Sequence, residues 1–335
     1  MKPTIAVLLG DPTGIGPELA AKLLADPEIR VQANVLVVGD RRIFEMGQQV
    51  AKLQVPYRVV SRIEEARFDS GGVQLLEVPG VAPGEFTVGR LSAEAGKSVL
   101  DTMTAALRLA RDGKLNAITF APLNKQAMRM GGSPFPDELH FMAHELNVQG
   151  LTRELNVLDN LWLSRVTSHV ALGTVSSLIT KQRVFEGIEL VHRTLRRTGI
   201  EQPRIAVAAF NPHGGEGGLF GREEIDEIVP GVEMAQAAGM TAEGPFPADT
   251  IFLRARKGEY HAIVSMYHDQ GQIAMKLMGF ERGVTVQGGL PIPIATPAHG
   301  TAFDIAGKGI ANPGATRQAF LLACRMAARW SEGQP

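Results

Sequence analysis

Short apolar runs alternate with longer amphipathic segments along the chain, and this alternation limits the fold more than any other feature of the sequence. Most of the runs are apolar throughout and rich in β-branched residues, as expected for parallel strands that are covered on both faces. Amphipathic segments between such strands are typical of crossover helices. The sequence therefore predicts an α/β protein with mainly parallel sheets.

The predicted elements extend over most of the 335 residues. Strands are predicted at 4–10, 34–39, 73–78, 116–121, 166–172, 204–210 and 261–266. Helices are predicted at 16–25, 40–53, 93–112, 180–198, 222–238 and 314–330. A chain of this length is too long for one ordinary core. We expect two α/β/α lobes with the active site in a central cleft between them, one lobe of residues 1–125 plus about 300–335 and the other of about 126–299.

Composition excludes several classes of protein. The net charge of −1 gives no basic surplus for a phosphate backbone, so nucleic acid is not an expected partner. No apolar run reaches the roughly 20 residues that cross a bilayer, so no membrane association is expected. The single cysteine, Cys324, rules out an internal disulfide and favours a cytoplasmic location. Cys324 itself is predicted to be a small buried apolar residue.

Three of the eight histidines share one sequence context. His169, His213 and His268 each lie within or just past the carboxyl end of a predicted strand, where open α/β sheets bind ligands. Three neutral imidazoles leave coordination positions open, as in catalytic metal sites. Each histidine taken singly also has a structural interpretation, but the shared placement favours a divalent metal ion: Zn, Mg, Mn or Co. His192 has no such placement and is predicted to be a surface or packing residue.

His140 and His144 are four residues apart and would share one face of a helix. The pair does not form a HExxH motif, because Phe141 follows the first histidine and Glu145 follows the second. A substrate contact from His140 is therefore favoured over an independent metal site.

Two glycine-rich segments stand next to predicted helices. The first, GDPTGIGPE at 10–18, could hold an anion, although an ordinary tight turn explains it equally well. The second, AHGTAFDIAGKGIANPGAT at 298–316, has four glycines that would let a flat polar ligand approach the backbone. Asp304 could accept hydrogen bonds from ribose hydroxyls. An ordinary glycine-rich loop is the alternative.

Five charged residues complete the set of candidates drawn from the residues alone, and for each of them an ordinary ion pair is the alternative. Asp269 could orient a metal ligand, and Lys276 could bind a carboxylate or move a proton. The others are Asp11, Lys125 and Asp249.

Seven motifs, in this order, resemble the 4-hydroxythreonine-4-phosphate dehydrogenase family of pyridoxal phosphate biosynthesis: GDPTGIGPE, APLNK, TSHVAL, FNPHGGEGG, GPFPADT, YHDQG and HGTAFDIAGKG. The last also resembles the adenosine-binding loop of isopropylmalate dehydrogenases. The resemblance implies an isocitrate/isopropylmalate dehydrogenase-like fold, a homodimer with shared active sites, and metal binding by His169, His213 and His268. It implies NAD rather than NADP, with cofactor contacts from His299, Gly300, Thr301, Asp304, Gly307 and Asn312.

The sequence departs from that family at the substrate positions. Family members that make pyridoxal phosphate carry GHTE where this chain has PDELH, so Glu138 and Leu139 replace a histidine and a threonine. Thr285 replaces an asparagine and Ile294 replaces an arginine. Phosphate is best bound by arginine, histidine and hydroxyl donors, so we interpret this as a rebuilt pocket. The expected substrate contacts are Glu138, Leu139, His140, Lys276, Thr285 and Ile294.

The resemblance implies metal-dependent, NAD-linked oxidation, with decarboxylation, of a small β-hydroxy acid, in which Lys276, Asp249 and Asp269 are the catalytic candidates. The substrate is 4-hydroxythreonine 4-phosphate, another phosphorylated acid such as a threonate or erythronate phosphate, or an unphosphorylated cis-dihydrodiol carboxylate such as terephthalate dihydrodiol. Two other hypotheses are a metal-dependent hydrolase or lyase that uses no dinucleotide, and a non-catalytic binding protein.

Overall fold

The structure, a computed structural model, describes residues 2–68 and 72–330, with Phe280 described by its backbone only. The chain divides into two compact units. Unit 1 comprises Met1–Thr152 and Val284–Pro335, and unit 2 comprises Arg153–Gly283.

Unit 1 contains a mainly parallel sheet in the order β3-β4-β2-β1-β5-β12-β11, in which only the β11–β12 pair is antiparallel. Its strands are β1 (Thr4–Leu8), β2 (Asn34–Gly39), β3 (Tyr57–Val60), β4 (Val73–Glu77), β5 (Ala117–Phe120), β11 (Val284–Gly288) and β12 (Ile294–Pro297). Its helices are α1 (Gly16–Ala25), α2 (Pro27–Gln32), α3 (Arg41–Ala51), α4 (Ala93–Arg111), α5 (Lys125–Met130), α6 (Glu138–Glu145) and α12 (Gly314–Trp330).

Unit 2 contains strands in the order β6-β7-β10-β8-β9, parallel except for the β6–β7 pair. The strands are β6 (Arg153–Leu158), β7 (Leu161–Arg165), β8 (Arg204–Ala208), β9 (Thr241–Phe246) and β10 (Ala262–Ser265). The helices are α7 (Val175–Leu178), α8 (Lys181–Arg197), α9 (Val229–Ala237), α10 (Ala248–Arg256) and α11 (His268–Gly279), and a π-helical turn at Glu224–Ile228 leads into α9.

Side chains at helix starts show why several helices begin where they do. Asp40, Ser92 and Thr180 accept hydrogen bonds from backbone N–H groups in the first turns of α3, α4 and α8. These helices cover strands that are almost completely buried, among them β2 and β5. Burial of the apolar strands on both faces is the main source of stability in such a layered fold.

The units divide after Thr152 and before Val284, whereas the sequence analysis placed the lobe boundaries at 125/126 and 299/300. Helix α6 belongs to unit 1 because Leu139 and Met142 join the same hydrophobic cluster as Met103 and Leu107 of α4. Strand β12 belongs there because it pairs with β5.

The predicted α/β class with mainly parallel strands is confirmed. The strand predicted at 166–172 is wrong, because β7 ends at Arg165 and His169 has a φ of +52° that no strand accommodates. The helix predicted at 314–330 is confirmed, as is the burial of Cys324. Across residues 2–68 and 72–330, no helix is both long enough and apolar enough to span a membrane.

Candidate functional site

The three candidate metal-binding histidines follow three neighbouring strands of unit 2. Strand β10 pairs in parallel with β7 on one side and with β8 on the other. His169 lies four residues after β7, His213 five residues after β8, and His268 opens α11 three residues after β10. Because the carboxyl ends of parallel strands meet at one edge of a sheet, all three residues belong to that edge, here called the histidine edge.

Two of the three imidazoles are close together. The rings of His169 and His268 have centroids 5.5 Å apart, and Nδ1 of His268 is 2.7 Å from Oδ1 of Asp269. A carboxylate on one ring nitrogen fixes the orientation of an imidazole, which is how many metal-binding histidines are held. Asp269 therefore contacts the His268 ring, and its role in orienting a metal ligand stays a prediction.

The third imidazole is not gathered into the same cluster. His213 contacts Phe220, with ring centroids 6.5 Å apart. Among the residues that the structure describes, no group of three or more His, Cys, Asp or Glu side chains is close enough to hold a metal ion. The donor types at the histidine edge fit a divalent metal, but the geometry brings together two of the three predicted ligands.

The backbone near these histidines is unusual. His169 has a φ of +52°, and five consecutive residues from His213 to Gly217 have φ between +44° and +79°. L-residues with side chains rarely adopt this left-handed region, and they cluster at functional sites when they do. The three glycines among the five residues reduce the cost of this left-handed run.

Helices α10 and α11 form a groove in unit 2 with a volume of about 390 Å³. Asp249 and Asp269, both predicted to be catalytic, line this groove, together with Tyr267 and Gln270. Its apolar lining includes Leu253 and Leu277, which are strongly exposed. Lys276 is an exposed residue two turns after His268 on α11, so the two residues lie on one side of that helix.

In unit 1, the glycine-rich segment that was predicted to bind the dinucleotide packs against the turn between β1 and α1. The N–H of Ile15 donates to the carbonyl of Thr301 at 3.1 Å, and a Cβ on Gly14 would come within 2.8 Å of Thr301. Ile15, Leu19 and Ala311 form a small hydrophobic cluster beneath the segment. The two glycine-rich motifs of the sequence are therefore parts of one structure.

A buried ion pair on α1 holds this segment in place. Nζ of Lys22 donates to Oε1 of Glu18 at 2.7 Å and to the carbonyls of Gly309 and Ala311 at 3.0 and 2.7 Å. Oε1 of Glu18 also accepts from the N–H of Ala311 at 2.8 Å. We call this arrangement the Glu18–Lys22 clamp, and it was not anticipated from the sequence.

The predicted cofactor contacts differ in accessibility. Asp304 and Gly300 are exposed, as is Gly307, whereas the side chain of Thr301 is buried against Gly14. Nδ1 of His299 is 3.1 Å from the carbonyl oxygen of Gly300, and Oδ1 of Asn312 accepts from the N–H of Gly314 at the start of α12. Asp304 is thus the one exposed acid among these residues, and its contact with a ribose stays a prediction.

The predicted substrate contacts of unit 1 also differ. Leu139 and Ile294 are buried in the hydrophobic core, so neither side chain presents an open surface. Glu138 is buried, with Oε2 3.6 Å from Nζ of Lys125. His140 is exposed, and its N–H and Nδ1 lie 2.9 and 2.6 Å from Oδ1 of Asp137.

Several buried polar side chains of the described residues have atoms without a hydrogen-bond partner, and two of them, Asp11 and Gln287, concern the candidate site. Oδ1 of Asp11 accepts from the N–H and the hydroxyl of Thr13, but Oδ2 has no partner among the described residues. Burial raises the pKa of this carboxyl, and the hydrogen bonds from Thr13 oppose that effect in part. Gln287, which was not singled out from the sequence, has no partner for either atom of its amide within the described parts of the chain. The sequence signal was the alternation of polar and apolar residues in VTVQG, which places Thr285 and Gln287 on one face of β11.

Comparison with known proteins is consistent with this arrangement. The model of the family described as pyridoxal phosphate biosynthetic protein PdxA matches residues 31–323. A Pseudomonas aeruginosa protein named provisionally as 4-hydroxythreonine-4-phosphate dehydrogenase 2 is 52% identical over 97% of each chain. A D-threonate 4-phosphate dehydrogenase of Cupriavidus necator is 41% identical over 98% of each. The crystal structure of a Klebsiella pneumoniae 4-hydroxythreonine-4-phosphate dehydrogenase superposes with a TM-score of 0.87, at 35% identity and over 98% of each chain.

Proposed function

Because the chain belongs to the family of the pyridoxal phosphate biosynthetic protein PdxA, and the relatives described above are named as dehydrogenases, we propose that it is a dehydrogenase. The proposed reaction is oxidation of a small β-hydroxy acid with loss of CO2, and it uses NAD and a divalent metal ion. The observation that carries this proposal is the placement of His169, His213 and His268 at one edge of three adjacent strands. A hydrolase using the same histidines would not need the glycine-rich segment that packs on α1.

We propose that His169, His213 and His268 hold the metal ion, with Asp269 orienting His268 through Nδ1. A metal ion bound there supplies Lewis-acid polarisation of the substrate hydroxyl and the adjacent oxygen. The left-handed backbone at His169 and His213 supports a binding role, because residues with side chains in this region cluster at functional sites.

The remaining roles fall to residues on α10 and α11 and in the glycine-rich segment. Nζ of Lys276 binds the substrate carboxylate or delivers the proton that replaces CO2. Asp249 and Asp269 act through the groups they orient. Residues 299–312 bind the adenosine half of NAD, with Asp304 accepting from the ribose hydroxyls, and NAD supplies the hydride acceptor.

For the substrate we propose D-threonate 4-phosphate or 4-hydroxythreonine 4-phosphate, the compounds named for the relatives. Glu138 and the apolar Ile294 supply no cation for the phosphate. The neighbouring cation is Lys125, which lies 3.6 Å from Glu138. Lys125 is exposed, and we propose that it binds the phosphate. We place D-threonate 4-phosphate, which lacks an amino group, first because a relative carries the name D-threonate 4-phosphate dehydrogenase.

We also propose that the protein acts as a cytoplasmic homodimer with shared active sites. The support is the concentration of exposed aliphatic side chains on unit 2, including Leu253, Ile273 and Leu277 of α10 and α11, next to Asp249 and Asp269. Exposed apolar patches of this kind mark interaction surfaces. Sedimentation equilibrium of the wild type and of Leu277→Lys tests this, and a wild-type monomer at micromolar concentration would contradict it.

The test of the function is formation of NADH from D-threonate 4-phosphate and from 4-phosphohydroxy-L-threonine after chelator treatment and return of Zn, Mg, Mn or Co. His213→Ala should lose both metal binding and activity, whereas His192→Ala on α8 should keep both. Full activity of chelated His213→Ala would refute the metal assignment. Failure of wild type to bind NAD would favour the hydrolase hypothesis.

A further inference from the structure

Gln287 of β11 is a buried amide without a partner. Its side chain is 2% exposed, and in the described parts of the chain neither Oε1 nor Nε2 makes a hydrogen bond. Gln74 of β4 is similarly buried at 3%, but its Oε1 accepts from the N–H of Arg67 at 3.4 Å. Buried polar groups are normally hydrogen-bonded, and each exception calls for an explanation.

The position of Gln287 supplies the explanation. Alternate residues of a strand share one face, so Gln287 lies on the same face of β11 as Thr285. Strand β11 pairs with β12 in a register that sets Thr285 opposite Thr296 and Val286 opposite Ala295. The next residues along the two strands are Gln287 and Ile294. Gln287 is therefore next to Thr285, which the sequence analysis assigned to the substrate, and opposite Ile294, which was also assigned to the substrate but is buried in the hydrophobic core.

An amide offers two N–H donors and an accepting oxygen. A hydroxyl group can satisfy both kinds, since it donates and accepts. A phosphate or carboxylate could satisfy only Nε2, and it would place negative charge near Oε1. The chemistry of the side chain therefore selects a hydroxyl over an anion.

We propose that Gln287 is a specificity-determining residue whose amide exchanges hydrogen bonds with a hydroxyl group of the substrate. This proposal rests on the proposed function, and it adds a residue and a chemical group to it. The amide keeps its hydrogen-bonding capacity unused in the free protein and uses it when the substrate binds.

Gln287→Met tests the proposal because methionine has nearly the same shape and no strong polar group. With D-threonate 4-phosphate, we expect kcat/KM to fall about tenfold or more. The melting temperature of the free protein should rise, because the variant no longer buries an unpaired amide. Gln74→Met is the matched control, and it should leave kcat/KM unchanged while lowering the melting temperature.

An unchanged kcat/KM in Gln287→Met would overturn the proposal. So would a lower melting temperature or a failure to fold, because the amide would then have a partner within the free protein.

Failure of the proposed function is distinguishable from failure of this inference. A wild-type protein that makes no NADH from either acid, with metal restored, contradicts the proposed function. In that case the melting temperatures of the two free proteins still decide whether the Gln287 amide lacks a partner.

Discussion

Replacing Lys22 with methionine should be among the most damaging single changes in unit 1, because Lys22 neutralises a buried carboxylate and also holds two backbone carbonyls. Its side chain is 16% exposed, and that of Glu18 is 2% exposed. The variant would leave Glu18 with one donor to Oε1, the N–H of Ala311, and with Oε2 unpartnered among the described residues.

The expected magnitude follows from this geometry. Removing one partner of a buried ion pair costs roughly 3–5 kcal/mol, and the residual exposure of Lys22 places the loss near the lower end, at about 3 kcal/mol. Replacing both members leaves no buried charge, so Glu18→Met with Lys22→Met should lose less than Lys22→Met alone. The surface pair Lys97–Asp101, also spaced by four residues, has side chains that are 66% and 46% exposed. Lys97→Met should therefore cost at most about 0.5 kcal/mol.

Urea unfolding measures these free energies, and steady-state kinetics tests the consequence for the cofactor. Lys22 contacts the carbonyls of Gly309 and Ala311, so its loss should raise KM for NAD roughly tenfold with little change in KM for the hydroxy acid. The reasoning would be refuted if Lys22→Met were no less stable than Lys97→Met, or if the double variant were the less stable of the two.

Three further predictions concern single side chains. Asp11 has a pKa raised above its ordinary 3.8 by burial. The folded state therefore binds the extra proton, and the contribution of Asp11 to the free energy of unfolding should fall as pH rises from 3.8 through the raised pKa. Asp11→Asn should remove that slope in urea midpoints taken at several pH values, and an unchanged slope would contradict it. Asp269→Asn should weaken zinc binding by roughly 10–100-fold in chelator competition, whereas Asp226→Asn should not, and equal affinities would argue against the orienting role. Burial raises the pKa of Cys324 to about 12, so its thiol should react with a disulfide reagent only after unfolding, and fast reaction of the folded protein would show that the thiol is accessible.

The fold class could be predicted because β1, β2 and β5 are short, continuously apolar runs. Strands β9 and β12 were missed because TAEGPF and IATP contain glycine or proline and carry little strand signal of their own. Their pairing is set by neighbours distant in sequence. The strand at 166–172 was predicted wrongly because its β-branched residues favour a strand. The left-handed backbone of His169, which excludes a strand, is not visible in the sequence.

For the candidate site, the placement of His213 and His268 after strands could be predicted from the strands at 204–210 and 261–266. His169 was predicted within a strand at 166–172, whereas it follows β7, which was not predicted. The strand order that makes β7, β10 and β8 neighbours could not, because order is a property of the folded sheet. In the Glu18–Lys22 clamp, Lys22 contacts the carbonyls of Gly309 and Ala311, which follow it in the sequence by 287 and 289 positions. No local pattern reveals a contact of that separation.

The left-handed run from His213 to Gly217 affects both the stability of this loop and the metal binding proposed for His213. Glycine adopts such a backbone without steric penalty, whereas a side chain there costs roughly 1–2 kcal/mol. Glycine at position 213 would avoid this cost, as glycine does at 214, 215 and 217. The proposed metal-binding role would account for keeping an imidazole at this cost, and His213→Gly should then give a more stable protein that binds the metal ion less well.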